Sequence, residues 1–506
     1  MECRFPDGFA WSCATSAYQV EGGRVFRGDN VWDILTHLPG AVVDGSNGDV
    51  ACDSYHKFKE DVQLIKSLGV SHYRFSIAWS RVLPDGTIGN VNQLGIDYYR
   101  NLCKELVANG IEPVITLFHW DFPYNLERRG GWRNPDAVEW FCDYARLCFG
   151  EFGDLVKTWI TFNEIWMYAW MGTVGLAGLS EDALGKKSPA ELANESCSRA
   201  IPYLVGHRML LSHGRAYRIY ESEFREKQKG RVGITMSAKW REPVCPDHME
   251  DCEAAKDAMC WQFDWIAHPI FSTQGGYPER MCRKLNDLST KEHRTEDNPI
   301  LPSFSEEECN IVRGSADFMG LNYYIAYKSR RLTEEERDDK QLGWLFRDAD
   351  YKDTVDPSWE KSLTTSASGA AKKTINFRIS GNQSWLHNTP WSFPKILRHI
   401  RDNYNNPPVI ITENGCADHP DETPLQDDAR IKYCSSHLKA LHQAITEDSC
   451  NVTGYTLWSL LDNFEWTDGF TMKFGLFHVD FNDSHLKRTP KKSASWYANV
   501  VKNNGI

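Results

Sequence analysis

The stretch VIITENG, residues 409–415, decides how the rest of this sequence is interpreted. It opens with Val409, Ile410 and Ile411, and such consecutive β-branched residues are typical of a buried strand. The strand then reaches Glu413 and an Asn-Gly turn pair. A polar residue at a strand end often simply faces water, but a carboxylate in this place also suits catalysis. The other segments of the chain have to distinguish the two interpretations.

Seven further segments are short, apolar and strand-like, and helical patterns separate them. Eight strands that alternate with helices predict a parallel sheet closed into a (β/α)8 TIM barrel. A doubly wound open sheet is the alternative, but it would usually carry a glycine-rich phosphate loop, and none occurs. With residues 408–415, the predicted strands are FAWSCATSAY (9–18), HYRFSIAW (72–79), PVITLFHW (113–120), VKTWITFNE (156–164), RVGITMSAKW (231–240), DFMGLNYY (317–324) and GYTLWSLLDN (454–463).

Length and charge limit the classes of protein. The chain has 506 residues and 41% apolar residues, and we expect a single barrel domain over residues 1–506. Its net charge of −12 disfavours nucleic acid and anionic membranes as partners. The longest uncharged apolar run, residues 165–179, is shorter than the roughly 20 residues that a membrane span needs. The charged stretch from residue 333 to 368 is expected to be a long solvated loop.

The N-terminal residues have no signal-peptide pattern, so we expect a cytoplasmic protein. Secretion stays open, since a removed leader would be invisible and four Asn-x-Ser/Thr sequons occur, at Asn194, Asn382, Asn451 and Asn482. The 15 cysteines are scattered and indicate no disulfide framework. The nearest approach to a metal cluster has no standard zinc spacing; it consists of Cys245, His248, Cys252 and Cys260.

Polar and aromatic side chains gather at the predicted strand ends, where the chemistry of such a barrel takes place. Six ends carry side chains that hydrogen-bond or stack, which indicates a ring around a polyhydroxylated ligand. Sequence order gives Gln19 and Glu21; His119 and Trp120; Asn163 and Glu164; Asn322 and Tyr324; Glu413; and Trp458, Glu465 and Trp466.

Two of these residues, Glu164 and Glu413, form a carboxylate pair across the expected pocket. Such a pair is the equipment for cleaving a glycosidic bond, because one group must hold a proton for the leaving oxygen while the other stays ionised. Each glutamate alone has a structural interpretation as a salt-bridge or capping partner. Two carboxylates suffice for this chemistry, so we expect no cofactor and no catalytic metal.

These motifs resemble glycoside hydrolase family 1, the β-glucosidases, over nearly the whole chain. The resemblance is strongest to animal members, namely cytosolic broad-specificity β-glucosidases and insect β-glucosidases and thioglucosidases. The segments that carry it are SAYQVEGG (16–23), HYRFSIAWSRVLPDG (72–86), FHWDFP (118–123), TFNE (161–164), LNYY (321–324), ITENG (411–415) and LWSLLDNFEW (457–466).

The resemblance implies a role for each matching residue. Glu164 matches the general acid/base and Glu413 the nucleophile of a retaining enzyme, whose carboxyl groups lie about 5–5.5 Å apart. Arg74, Tyr324 and Asn322 match residues that support the nucleophile, although a buried arginine also suits an ordinary ion pair. The residues that match sugar-binding groups are Gln19, His119, Asn163, Tyr324, Trp458, Glu465 and Trp466.

Two departures put the preference for the leaving group in doubt. Ile165 stands where the family usually has proline, and the segment after it lacks the usual Pro-Gly exit. The loop at residues 22–33 is shorter than usual, and both loops are expected to border the leaving-group side. Trp166, Tyr168 and Trp170 either line that side or pack against helices.

Several functions remain open at this point. The resemblance favours hydrolysis of β-glucosides, with β-galactosides and β-fucosides as further substrates. A thioglucosidase is an alternative, as is a sugar-binding receptor partner on the same scaffold, although such partners have lost a catalytic carboxylate. A 6-phosphoglycosidase is disfavoured, because Glu465 would repel a phosphate near the outer hydroxyls. The oligomeric state and the natural aglycone do not follow from the sequence.

Overall fold

A computed structural model describes residues 3–171, 199–339, 342–360 and 386–506. Eight strands each pair in parallel with the next strand along the chain, and the last pairs with the first, which closes a barrel. The predicted (β/α)8 barrel and all eight predicted strands are therefore confirmed. The strands are β1 (Ala10–Ala14), β2 (His72–Ser76), β3 (Glu112–Phe118), β4 (Thr158–Asn163), β5 (Arg231–Pro243), β6 (Phe318–Arg330), β7 (Val409–Asn414) and β8 (Val452–Trp458).

Helices lie between the strands, as the alternating sequence pattern predicts. The main helices that follow β1 to β8 in order are Ser54–Ser67, Gln93–Ala108, Ala137–Phe152, Ile201–Ile219, Met249–Met259, Phe393–Asn403, Asp428–Thr446 and Lys492–Asn503. The remaining α-helices are Ala17–Val20, Val31–Thr36, Trp79–Val82, Tyr124–Arg128, Ile165–Met171, Arg225–Gln228, Trp265–Phe271, Glu279–Lys291, Glu306–Val312, Glu334–Asp338 and Trp344–Ala349.

The barrel interior is apolar at one end and polar at the other. Val114, Ile160 and Phe318 form a small buried cluster of their own, against which Ile410 packs. Two residues further along β7, Thr412 is buried and accepts a hydrogen bond from the Thr235 hydroxyl at 3.2 Å. Since inward-facing positions recur every second residue, the strands place a polar layer directly above the apolar one.

Strand pairing becomes irregular at this polar end. The register shifts between Ile160 and Asn163 of β4, between Ile411 and Asn414 of β7, and between Ala238 and Trp240 of β5. Irregularities of this kind re-aim side chains and are frequent beside active sites. They lie where the sequence places its candidate residues.

The prediction that residues 333–368 form a solvated loop is wrong for the described part of this segment. It contains the two short helices Glu334–Asp338 and Trp344–Ala349, and the strand Lys352–Thr354 pairs with β6 in the antiparallel sense. Buried apolar side chains such as Leu345 fix this segment against the barrel. Its charged residues are largely paired, which the sequence alone did not reveal. Residues 340–341 and 361–368 lie outside the described residues.

Three further findings concern the described residues. No helix among them is both long and apolar enough to cross a membrane. Their cysteines are free thiols, most of them buried. No group of histidine, cysteine and acidic side chains among them could hold a metal ion, and this includes the candidate around Cys245 and His248.

Candidate active site

Ten of the predicted site residues line one cavity of about 310 Å³ at the carboxyl ends of the strands. Arg74 lies behind this wall and is 1% exposed. The barrel therefore brings together residues that are up to 447 positions apart, from Gln19 to Trp466. The ten lining residues are Gln19, His119, Asn163, Glu164, Asn322, Tyr324, Glu413, Trp458, Glu465 and Trp466.

Glu413 is surrounded by hydrogen-bond donors. Arg74 donates from Nη1 to its Oε1 at 2.6 Å, and the Tyr324 hydroxyl donates to its Oε2 at 2.9 Å. Arg74 is itself fixed, since Nε donates to the Thr116 hydroxyl and Nη1 to the Thr412 carbonyl. A guanidinium held this rigidly favours the ionised form of the neighbouring carboxyl.

Glu164 has a different environment. It follows β4 in the left-handed region, with a φ of 52°, which is unusual for a residue with a side chain. Its backbone N–H donates to the Thr235 carbonyl at 2.9 Å, and the helix Ile165–Met171 begins at the next residue. Asn322 donates to its Oε1 at 2.7 Å. Ile165, in place of the usual proline, therefore starts a helix directly and leaves the carboxyl at the cavity.

The two carboxyl groups differ in how their protons are held. Burial raises the pKa of Glu164 to about 8, and the nearby charge of Glu413 adds to this rise. Burial also raises the pKa of Glu413, but the Arg74 charge and hydrogen bonds from Arg74, Tyr324 and Asn322 act in the opposite direction. Of two interacting carboxyls, the one with more donors and a cation loses its proton first. Glu413 is then the anion while Glu164 remains protonated.

Asn322 differs in part from its predicted position. The resemblance pairs it with the nucleophile Glu413, and its hydrogen bond does act on the pKa of that carboxyl. Its amide nitrogen also donates to Glu164 Oε1, at 2.7 Å. Its Oδ1 accepts from Thr412 at 2.8 Å, which fixes the amide so that its nitrogen faces the carboxyls. Asn322 thus touches both members of the pair.

Asn163 and His119 form a second polar group in the cavity. Arg74 Nη2 donates to Asn163 Oδ1 at 2.7 Å, so the amide nitrogen of Asn163 points to His119 Nε2, 3.3 Å away. Burial lowers the pKa of His119 well below its usual range, so its imidazole is neutral. Its Nδ1 is buried and has no hydrogen-bond partner among the described residues. Asn163 and His119 both line the cavity, where polar side chains of this kind can bind the hydroxyls of a ligand.

Gln19 and Glu465 form a third polar group. Gln19 Nε2 donates to Glu465 Oε2 at 3.2 Å and to the Phe464 carbonyl at 3.0 Å. Burial raises the pKa of Glu465 to about 8, and the charges of Asp468 and Glu413 contribute. A neutral carboxyl beside an amide offers both a donor and acceptors, which suits the hydroxyls of a sugar.

Aromatic rings complete this end of the cavity. The His119 ring stacks with Trp458 at 5.9 Å and with Trp466 at 6.1 Å, each at an interplanar angle of 13°. Trp466 also contacts Trp120 at 4.8 Å and Trp32 at 4.5 Å. The rings give the cavity an apolar wall beside its hydrogen-bonding groups, as carbohydrate sites require.

The outer part of the cavity contains residues that the sequence analysis missed. Trp166 and Trp170 line it, whereas Tyr168 packs against Phe118 and is not part of the wall. None of residues 22–33 lines this cavity, although Trp32 of that loop packs against the lining residue Trp466. The missed lining residues are Met167, Ser237, Ala238, Lys239, Tyr327, Phe346, Asp353 and Phe474.

The sequence contained a signal for one of these residues, Lys239. In β5, Thr235 lies in the polar layer of the barrel and Ser237 lines the cavity, so the alternation of a strand predicts an inward position for Lys239. No side chain of β5 is among the candidates predicted at the strand ends. Phe346 and Asp353 had no comparable signal, because they come from the segment interpreted as a solvated loop.

Comparison with known proteins identifies the family of this chain. A model of glycosyl hydrolase family 1 matches residues 1–506. Human cytosolic beta-glucosidase is 41% identical over 99% of this chain and 99% of its own length. The structure of an aphid myrosinase superposes with a TM-score of 0.85 at 36% identity, covering 99% of each chain. A rice beta-glucosidase in a covalent complex with Glc has a TM-score of 0.81 at 37% identity, covering 98% of each chain.

The barrel, its carboxyl pair and these similarities define a glycoside hydrolase. The chain belongs to glycosyl hydrolase family 1, as the sequence motifs predicted.

Proposed function

We propose that this protein is a retaining β-glycosidase that hydrolyses terminal β-D-glucosides, and that β-galactosides and β-fucosides are further substrates. Glu413 attacks the anomeric carbon while Glu164 donates its proton to the leaving oxygen. The resulting glycosyl–enzyme ester is then hydrolysed by a water molecule that Glu164, now ionised, deprotonates.

The observation that carries this proposal is the unequal supply of donors to the two carboxyls. A cation and a tyrosine hydroxyl act on Glu413, while Asn322 is the donor to Glu164. When the surroundings of two titratable groups push their pKa values apart, the group with the higher pKa is assigned as the acid and the other as the ionised partner. The raised pKa of Glu164, about 8, leaves it protonated at neutral pH, as a general acid must be.

The sugar is held by the polar groups around the pair. We assign the 2-hydroxyl to Asn163, whose nitrogen is directed by Arg74. Gln19, His119 and Glu465 take the hydroxyls further from the reacting carbon, and Trp458 lies under the apolar ring face. An interaction with the 2-hydroxyl strengthens in the transition state, so Asn163 contributes to kcat as well as to binding.

A thioglucosidase is the second candidate. The similarity to an aphid myrosinase favours it, although the relatives that are beta-glucosidases favour the oxygen glycoside. Both activities use the same carboxyl pair.

We also propose a cytoplasmic location for this protein, because its relatives from human and guinea pig are named cytosolic. The free thiols of the described residues agree with this location.

The test is the release of nitrophenol from 4-nitrophenyl β-D-glucoside, beside its sulfur analogue. Glu413→Gln should reduce turnover by several orders of magnitude, because the nucleophile is lost and not merely a binding contact. The wild type should cleave the oxygen glycoside faster. A folded wild type without turnover would contradict the proposal, and faster cleavage of the thioglucoside would favour the second candidate.

A further inference from the structure

Lys239 points into the cavity from the fifth strand. Ser237 and Lys239 are alternate residues of β5, and both line the cavity wall. The pairing of β5 with β6 shifts register between Ala238 and Trp240, so the irregularity includes Lys239. Register shifts of this kind re-aim side chains at the rims of barrels. The lysine is therefore placed by the barrel itself and not by a surface loop.

Aromatic faces surround the Lys239 ammonium. Its Nζ lies 5.6 Å from the ring centroid of Tyr327 and 6.0 Å from that of Trp166. Trp166 in turn stacks with Trp170 at 6.1 Å and an interplanar angle of 14°. These rings form the outer wall of the cavity together with Phe346. The wall is therefore apolar and aromatic, with one cation in it.

The carboxylates near this cation are engaged elsewhere. Asp353 Oδ2 accepts from Arg241 Nη2 at 2.8 Å, and its Oδ1 accepts from the Ser329 hydroxyl at 2.8 Å. Glu164 keeps its proton in the resting enzyme. Within the described ranges of the chain, Lys239 forms no ion pair. Two carboxylates of the lining pair with arginines instead, Glu413 with Arg74 and Asp353 with Arg241. Lys239 is thus the one lysine or arginine among the described lining residues, and it forms no ion pair with them.

An enclosed ammonium that forms no direct ion pair is costly. The effect appears in its proton affinity, since burial and the neighbouring Arg241 charge lower the pKa of Lys239 to about 8, against the opposing charges of Asp353 and Glu164. The group is still mostly cationic at neutral pH. A carboxylate that entered the outer cavity would supply the partner that Lys239 lacks. The hydrogen bond between them would be charge-assisted, which is the stronger kind.

We propose that the outer half of the cavity binds an aromatic aglycone that carries an anionic group, and that Lys239 pairs with this group. The inference rests on the proposed glycosidase function, because it names the leaving group of that reaction. The aromatic part of the aglycone lies between the rings of Trp166 and Tyr327, and its anion reaches the ammonium. Lys239 is then a specificity-determining residue outside the sugar site.

The test compares two nearly isosteric substrates, 4-carboxyphenyl β-D-glucoside and its methyl ester, together with their 3-substituted isomers. The ratio of kcat/KM for acid over ester is measured in the wild type, Lys239→Gln and Lys239→Arg. The difference in leaving-group ability between acid and ester is the same in every enzyme, so it cancels when the ratio of a variant is compared with that of the wild type. A general effect on catalysis cancels within each ratio. We expect Lys239→Gln to lower the ratio by about ten- to a hundredfold and Lys239→Arg to retain most of it.

An unchanged ratio in Lys239→Gln would overturn the inference. If the basic limb of the pH profile moves while the ratio stays constant, Lys239 acts only on the proton of Glu164, and the inference is equally wrong. Absence of turnover on the neutral ester would instead count against the proposed function. The anion site is then measured by calorimetry with 4-hydroxybenzoate and its methyl ester. If the wild type binds the anion and Lys239→Gln does not, the site is supported. If the two proteins bind the anion equally well, the inference is overturned.

Discussion

Arg74 joins the candidate nucleophile to the candidate sugar site: Nη1 donates to Glu413 Oε1 at 2.6 Å, and Nη2 donates to Asn163 Oδ1 at 2.7 Å. One buried guanidinium thus holds the carboxylate in its charged form and sets the direction of the Asn163 amide. The planar fork of arginine permits both bonds at once, which a lysine ammonium at the same place would not reproduce.

Arg74→Met should therefore raise the pKa of Glu413 and move the acidic limb of kcat/KM to higher pH, since that limb reports the free enzyme. The variant should also be less stable by about 3–5 kcal/mol, because it leaves a buried carboxylate unpaired. Denaturant unfolding and a pH profile measure the two effects.

Arg81→Met is the matched control for this prediction. Arg81 is also fully buried, and its Nε donates to Glu21 at 2.8 Å, outside the cavity lining. It should lower stability comparably without moving the acidic limb. An acidic limb that stays in place in Arg74→Met would show that Arg74 does not control the ionisation of Glu413.

The basic limb should report Glu164. With its pKa raised to about 8, activity on substrates with poor leaving groups should fall as pH rises through that value, because the proton donor is lost. Glu164→Gln should abolish this limb when activity is measured on a dinitrophenyl glucoside, whose leaving group needs no proton. A limb that persists in Glu164→Gln would belong to Glu465 or Lys239, whose pKa values are also shifted to about 8.

The same carboxyl should make stability depend on pH. Its pKa is raised from 4.5 to about 8 in the folded chain, so from pH 4.5 to 8 the folded state binds a proton that the unfolded state has released. Stability from this group is therefore lost progressively as pH rises through that window. Glu164→Gln should gain melting temperature over the wild type at pH 8 and not below pH 4.5. The exposed Glu307→Gln is the control, and an equal gain at both pH values would contradict the argument.

Gly415 should tolerate no side chain. A Cβ there would lie 1.8 Å from the backbone carbonyl oxygen of Trp458, so either β7 or β8 would have to move. We expect Gly415→Ala to cost about 1–3 kcal/mol of stability and to reduce activity by displacing Glu413. Gly89→Ala is the control, since the nearest atom to its Cβ would be 3.9 Å away. Equal melting temperatures for the two variants would contradict this close approach.

The barrel and the inner part of the site could be predicted from the sequence. The first four residues of β7 (409–412) are all β-branched, as is typical of a strand buried on both faces, and this makes it recognisable without structural data. The carboxyl ends of such strands converge, so Asn163, Glu164 and Glu413 could be placed at one cavity by position alone.

The outer part of the site could not be predicted in the same way. Phe346 and Asp353 come from a charged segment whose polarity suggested solvent, whereas its charges are used in pairs such as Arg241 with Asp353. Composition does not reveal which charges will pair across long sequence distances. The contact of Asn322 with both carboxyls is likewise a matter of side-chain geometry. Lys239 was accessible through the alternation of β5 and was overlooked.

The most direct test of the central claim is to trap the covalent intermediate with a 2-deoxy-2-fluoro-β-D-glucosyl substrate that carries a dinitrophenyl leaving group. The fluorine removes the 2-hydroxyl contact and destabilises the oxocarbenium-like transition state, so the glycosyl–enzyme accumulates. Mass spectrometry of proteolytic peptides should find one sugar per chain, attached to Glu413. A label on Glu164, or an unlabelled chain that still hydrolyses the ordinary glucoside, would contradict the assignment of nucleophile and acid on which the account depends.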